Sequence, residues 1–460
     1  MSVQHPPVSI QKLQVLPLIK ILTKDSAGQL LKDHTPPYAQ EDLLDLENLE
    51  YVHFPALVLE DGSPWVHGNL FLLSKIIETH HKSLIDPQTL MTYARELKLF
   101  MNELHKAGLH YLDFPTRKLR RPTYFYTAEL KKHVDAQEIE SSTREKKLNC
   151  VFGFYTWLRK QHDFNAGDRL WDESPKSITF LDDKGFAHQK TIMGNSLKPN
   201  RASSIKNSVE GYINDGGALR PYSKREQEAL IKALVEADNT ELTLACIFSL
   251  VTGARTQTVL TLRLSDIVSI AEENGARKFS MKIGGGTGID TKKGKPHLLQ
   301  VPEWLHYKFH IYISSPRYKA RQEKASDAVR ENGYVFLTED GLPFYSAHGD
   351  KAIREYRNIP KGDALRQTIR RVLQPILDKS DTPFQFRFHD LRATFGINLV
   401  EELWARTHKN EMTFMQIVTT VKERMGHSKI ETTLQYLNYK AVRENLEMGF
   451  SALEEQLNKI

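Results

Sequence analysis

Only two cysteines occur in 460 residues. Cys150 and Cys246 each lie in an apolar stretch that reads as helix, which excludes a disulfide framework and points to buried thiols in a reducing compartment. Neither has a second cysteine or a histidine at metal-ligand spacing, so no structural zinc is expected. No apolar run approaches the roughly 20 residues that span a bilayer. The first residues also lack the basic and apolar regions of a secretory signal, so a cytoplasmic protein with no membrane partner is expected. Internal repeats and low-complexity tracts are missing. A glycine-rich run, Gly284-Gly-Gly-Thr-Gly288, invites a phosphate-loop reading. It lacks the Gly-Lys-Ser/Thr ending and a following helix, and nucleotide binding is rejected.

Arginine is absent from residues 1–75, where five lysines face nine acidic residues for a balance of −4. The net charge of +6 therefore places +10 on the remainder. A basic body behind a mildly acidic leader favours a polyanionic partner.

A chain of this length builds two or three domains. Residues 1–74 read as an extension, with strand or short-helix character over Leu13–Leu22 and a strand entering a turn after Phe54. Residues 75–165 read as helical. Asp86-Pro starts a helix whose stripe is Leu90, Tyr93, Leu97 and Phe100, with Arg95 and Lys98 turned away. Further helices are expected near 127–136 and from Ser142 to Leu158. The basic run Lys118-Leu-Arg120-Arg121 lies among them. Residues 166–219 read as a linker, with a hairpin over Ile178–Phe186 turning at Asp-Lys-Gly. Ser223, with Glu226 three residues on, forms a capping box that opens a second domain over 220–460.

Four separated stretches of that domain stand out. An apolar helix ends near Gly253, and Arg255 opens the next. Strands flank Asp290-Thr-Lys292-Lys293-Gly-Lys295. His389 and Arg392 are three residues apart, facing the same way if helical. Last comes Gly426-His427-Ser-Lys-Ile-Glu-Thr-Thr-Leu-Gln-Tyr436-Leu-Asn-Tyr439. One continuous helix would set His427 and Tyr436 on opposite faces and about 13 Å apart along its axis. They can meet only if the chain turns between Ser428 and Thr432, where a new helix start is permitted.

In this order and at these spacings, Arg255, a hairpin lysine, His389-x-x-Arg392, Gly426-His427 and Tyr436 resemble the motif series of the tyrosine recombinase (phage integrase) family. Each motif alone is weak; the ordered set is specific. Residues 75–165 resemble that family's helical core-binding domain, so about the last five-sixths of the chain is covered. The resemblance implies a fold that is mainly α with a small antiparallel β-sheet: a helical core-binding domain followed by an α+β catalytic domain. It implies a site-specific DNA recombinase, an integrase or transposase of a mobile element, that cleaves and rejoins DNA through a 3′-phosphotyrosyl link. No cofactor, ATP or divalent metal is expected.

By the same resemblance Arg255, Arg392 and His427 bind the scissile phosphate, His389 assists proton movement, and Tyr436 is the nucleophile. Lys292 is the general acid, with Lys293 its rival by a one-residue slip and Lys295 a phosphate contact. Arg95, Lys98, Lys118, Arg120 and Arg121 are candidate contacts to double-stranded DNA. A homo-tetramer on DNA, working through a Holliday junction at the bacterial nucleoid, is implied. A tail helix over 441–460 would pack on a neighbouring protomer. Element-encoded protein partners are a further expectation, with the acidic leader and residues 404–414 as surfaces. Two departures qualify the match. Thr258 stands where the family commonly has an acidic residue, and the interval from Arg392 to His427 is about a dozen residues long in excess. A type IB topoisomerase-like or resolvase enzyme, and a DNA-binding accessory protein with a decayed site, are the alternative readings.

Overall fold

The computed structural model describes residues 7–18, 49–79, 84–160, 164, 166, 169–181, 187–197, 211–268, 278–407 and 411–441. Its contacts divide the chain into two units, Met1–Ser204 and Ile205–Ile460. The architecture is mainly α, with four two-stranded antiparallel sheets among the described residues. No described helix is long and apolar enough to cross a membrane.

In the first unit, strand β1 (Val8–Leu18) pairs antiparallel with β2 (Leu49–Leu59), Val8 opposite Leu59. Helices α1 (Val66–Thr79), α2 (Pro87–Lys106), α3 (Pro122–Asp135) and α4 (Ser141–Arg159) follow, then the hairpin strands β3 (Glu173–Leu181) and β4 (Ala187–Asn195). The turn expected at 182–186 lies outside the described residues. Asp86 caps α2 by accepting the Gln88 N–H, and Leu90, Leu97 and Phe100 are buried. Helix α3 begins five residues earlier than the sequence pattern suggests, because Pro122 takes its first turn. A fixed φ suits proline to that position, where its missing N–H costs nothing. Val8, Tyr51, Phe54 and Leu57 share one core with Trp65, Phe71, Phe100, Phe154 and Tyr155. The expected N-terminal extension thus contributes strands to the core of the helices. Cys150 lies in it, and burial pushes its thiol up to about 12.

The second unit opens on a small hairpin, β5 (Ile213–Asn214) and β6 (Ala218–Leu219). Ile213 and Leu219 are buried, so the end of the expected linker is built into this unit. Ser223 caps α5 (Lys224–Glu236) through the capping box with Glu226. Next come α6 (Thr240–Thr252), α7 (Thr256–Leu260) and α8 (Leu264–Val268), then strands β7 (Lys278–Ile283) and β8 (His297–Pro302), paired antiparallel. Helices α9 (Glu303–Ser314), α10 (Pro316–Lys324) and α11 (Asp327–Asn332) precede α12 (Asp363–Thr368). A π-helical turn (Ile369–Leu373) joins α12 to α13 (Gln374–Asp378). Then follow α14 (Asp390–Thr407), α15 (Phe414–Met425) and a last helix over 430–441.

One buried cluster of this unit joins α5, α6, the β7–β8 pair and the helices to α13. A second joins the β5–β6 hairpin, α14, α15 and the last helix. The extra residues between Arg392 and His427 are partly helical: Trp404 belongs to α14, its ring meeting Phe414 edge to face at 6.1 Å. Residues 408–410 and the expected tail helix beyond 441 lie outside the described residues.

Candidate active site

Two helix ends and two helix starts set the site. Helix α6 stops at Gly253 in the left-handed conformation, φ 71°. A Cβ there would come within 2.5 Å of the Phe395 ring, so only glycine lets the chain turn this close to α14. Arg255 follows as the N-cap residue of α7. Helix α15 stops in the same way at Gly426, φ 64°, and the last helix begins at residue 430. The required bend is therefore present, and the rings of His427 and Tyr436 stand 5.5 Å apart between centroids. Tyr436 is fully buried. Its ring passes so near α14 that a Cβ on Gly396 would lie 2.3 Å from it.

The side chains converge on a carboxylate that sequence reasoning did not single out. Asp215, at the tip of the β5–β6 hairpin, accepts from Arg255 Nη2 at 2.7 Å and from Arg392 Nε at 2.6 Å. His427 Nε2 and the Tyr436 hydroxyl each lie 3.2 Å from Oδ2. Arg392 is almost fully buried and also donates to the carbonyls of Gly253 and Met425, at 2.7 and 2.8 Å. Those carbonyls sit at the ends of α6 and α15, where the helix leaves them without an intrahelical donor. One guanidinium thus ties two helix ends to the site.

The charges respond to this packing. Burial alone would raise the Asp215 pKa, but the His427 hydrogen bond and the Arg392 and Arg255 charges hold it well below the carboxylate range. Burial, and then Asp215, push the Tyr436 phenol well above its usual value, so it is protonated here. His427 is lowered by burial and by the two arginines against the pull of Asp215. Neutral, it donates from Nε2 and accepts at Nδ1 from the Thr433 hydroxyl, 3.0 Å away. His389 lies one residue before α14 and is half-buried; burial and repulsion by Arg255 and Arg392 bring it to about 4.

The lysines come from the connection between β7 and β8. Gly284, at φ 95°, lets that loop fold on itself, since a Cβ there would lie 2.3 Å from the Lys295 carbonyl oxygen. Lys292, Lys293 and Lys295 all line the open cavity of about 310 Å³ that contains Asp215 and both arginines. Lys292 Nζ lies 2.9 Å from where a Cβ on Gly216 would stand, next to Asp215. Lys293 holds the left-handed turn, φ 64°. Lys295 donates to the Gly426 carbonyl and to Ser428 Oγ, both at 3.2 Å, and so ties the loop to the His427 turn. Thr258 is buried and donates to the Asp290 carbonyl at 2.8 Å, fixing α7 to the same loop.

Thr433, like Asp215, was missed from sequence. Of the candidate DNA contacts, Arg95 and Arg120 are exposed and Lys98 is half-buried. Lys118 is exposed and paired with Asp172 at 2.7 Å. Arg121 is buried, and its guanidinium donates to the carbonyls of Pro115, Thr116 and Arg169. Among the described residues no group of three His, Cys, Asp or Glu is placed to hold a metal ion.

No protein-family model matches the chain, and no curated protein does. Among solved structures it is similar to the Tn1549 transposon integrase in complex with transposon right end DNA, at 14% identity and a TM-score of 0.43, covering 83% of this chain and 99% of that one. A complex of the same integrase with circular intermediate DNA gives 15% identity and 0.39, covering 80% and 94%. A lambda integrase dimer bound to a COC′ core site gives 12% identity and 0.43, covering 79% of this chain and 93% of that one.

Proposed function

We propose that the protein is a DNA strand transferase of the tyrosine recombinase type, acting on duplex DNA. One observation carries this reading. Arg255, Arg392, His427 and Tyr436, from three separate stretches of chain, meet on one pair of anionic oxygens. Breaking a phosphodiester spreads charge over its nonbridging oxygens, and fixed guanidinium donors stabilise that charge. Tyr436 would attack the phosphorus as the P–O5′ bond breaks, leaving the DNA joined through its 3′ phosphate. The departing 5′ oxygen needs a proton, and Lys292 is the donor that its position favours over Lys293. A neutral His389 is suited to accept the tyrosine proton. The 5′ hydroxyl of a second strand then reverses the step, and the phenolate leaves. Recombination by four protomers through a Holliday junction belongs to the same proposal, as does action on a mobile element.

The test is incubation of the purified protein with a nicked duplex that loses its 5′ fragment. A covalent protein–DNA adduct is expected. Noncovalent binding without an adduct would instead favour an accessory DNA-binding protein. A plasmid with two target sites separates the enzymatic alternatives, since relaxation without recombinant product would indicate topoisomerase-like chemistry.

A second expected result concerns Thr433, a positioning residue for His427. Thr433→Val leaves Nδ1 of a buried imidazole without its donor, a loss of about 1–2 kcal/mol, and adduct formation should slow roughly 10-fold. The tautomer is fixed by this bond, so Thr433→Ser should restore both rate and pH profile. Failure of serine to rescue would reduce Thr433 to packing.

A further inference from the structure

Resting on that reading, we propose that Asp215 is an internal stand-in for the DNA phosphate. The β5–β6 hairpin carries its carboxylate into the donor cluster, and the site stays closed until a phosphodiester displaces it. Four groups assigned to the phosphate and its attack are committed to this one side chain. A counter-ion for two arginines would not also have to take the histidine Nε2–H and the tyrosine hydroxyl.

The fit is incomplete in an informative way. Arg255 Nε is buried and has no hydrogen-bond partner among the described residues. A carboxylate offers two oxygens, whereas a phosphodiester offers four around a tetrahedral centre. The cluster therefore holds one more donor than its present occupant satisfies, as expected of a site shaped for a larger oxyanion. While Asp215 is in place, the Tyr436 hydroxyl is a hydrogen-bond donor, with its proton on the carboxylate side.

The hairpin is built to be held at its base and released at its tip. Ile213 and Leu219 are buried in the second cluster. The Asn214 N–H donates to Gln435 Oε1 at 2.9 Å, and the Arg220 N–H donates to Asp390 Oδ1 at 3.1 Å. The sheet consists of only the two residue pairs Ile213–Leu219 and Asn214–Ala218, and beyond them the tip, Asp215-Gly216-Gly217, is closed by a single backbone bond from the Asp215 N–H to the Gly217 carbonyl at 3.1 Å. Exchange of one anion for another keeps the buried arginines neutralised throughout. It also makes productive entry depend on DNA that is held by other contacts, because a lone phosphate must compete with a tethered carboxylate.

The experiment uses the full chain with Asp215→Asn, Asp215→Ala and, to loosen the hairpin while keeping the charge, Gln435→Ala. Two quantities are read: saturable thermal stabilisation by inorganic phosphate, and the rate of adduct formation on nicked duplex at subsaturating DNA. Removing the plug raises the open fraction, so both Asp215 variants should bind phosphate on the order of 10-fold more tightly and form adduct faster by a similar factor. Gln435→Ala should move both in the same direction by a smaller factor. An Asp215 variant that unfolds alone but regains a cooperative transition with phosphate also supports the proposal, since the ion then replaces the carboxylate. Slower adduct formation by Asp215→Asn would make Asp215 a positioning residue and overturn the plug. So would unchanged phosphate binding in folded variants, and if neither Asp215 variant folds with phosphate, an unchanged Gln435→Ala overturns it. Should no variant and no wild type form adduct on any DNA, the strand-transfer reading fails, and the phosphate measurement alone decides the plug.

Discussion

Replacing Tyr436 by Phe is expected to lower adduct formation on nicked duplex by at least ~10³-fold, since the proposed reaction takes its nucleophile from this hydroxyl. Binding of the same duplex should stay within a few-fold, because nearly all of it comes from phosphate contacts elsewhere. The substitution is clean in structural terms. The ring keeps its place against Gly396 and beside His427, and only the hydroxyl bond to Asp215 is lost, a net change of about 1 kcal/mol. Tyr439→Phe is the control. Tyr439 packs against the second cluster of this unit, and its replacement should leave the adduct yield unchanged. Gel separation of the covalent species measures both variants. An adduct that survives Tyr436→Phe, or disappears with Tyr439→Phe, would overturn the assignment.

That Arg255, Arg392, His427 and Tyr436 come together was legible in their residue types and in their distinctive order along the chain. The bend between histidine and tyrosine was legible for a simpler reason: helical geometry alone kept them apart. Asp215 was not. Asn-Asp-Gly-Gly has the composition of an ordinary turn, and nothing local says that its carboxylate points at residues 40 to 221 positions away. Thr433 was hidden beside Thr432, since which threonine faces His427 depends on where the last helix starts. Lys292 and Lys293 were not separable in the sequence because how each is presented depends on a left-handed backbone at Lys293, which a lysine does not announce. The inward turn of Arg121 was not legible either. In a basic run, composition cannot tell which guanidinium turns inward to cap carbonyls. Likewise β1 finds its partner about forty residues on, and periodicity names a strand without naming its neighbour.

The two arginines should part company under the same mild change, Arg→Lys. Arg392 donates to three buried acceptors spread around its planar fork, at Asp215, Gly253 and Met425. A lysine nitrogen keeps the charge but cannot reach all three. Two buried carbonyls would lose their donor, at about 1–3 kcal/mol each, and the helix ends they belong to would separate. Arg392→Lys should therefore lower the thermal midpoint by several degrees, at roughly 2–4 °C per kcal/mol for a unit of this size. It should also reduce adduct formation by about 10²-fold or more, through loss of a fixed donor to the developing charge. Arg255 has a side chain 26% exposed, and among the described residues its hydrogen bond goes to Asp215. Arg255→Lys should match the chemical loss while changing stability by less than about 1 kcal/mol, as expected where only one charged contact is weakened. Calorimetry and the adduct assay on the two variants separate the roles. If Arg255→Lys destabilises the fold as much as Arg392→Lys, the division fails. If Arg392→Lys cleaves at the wild-type rate, that arginine holds the helices together and does not act on the phosphate.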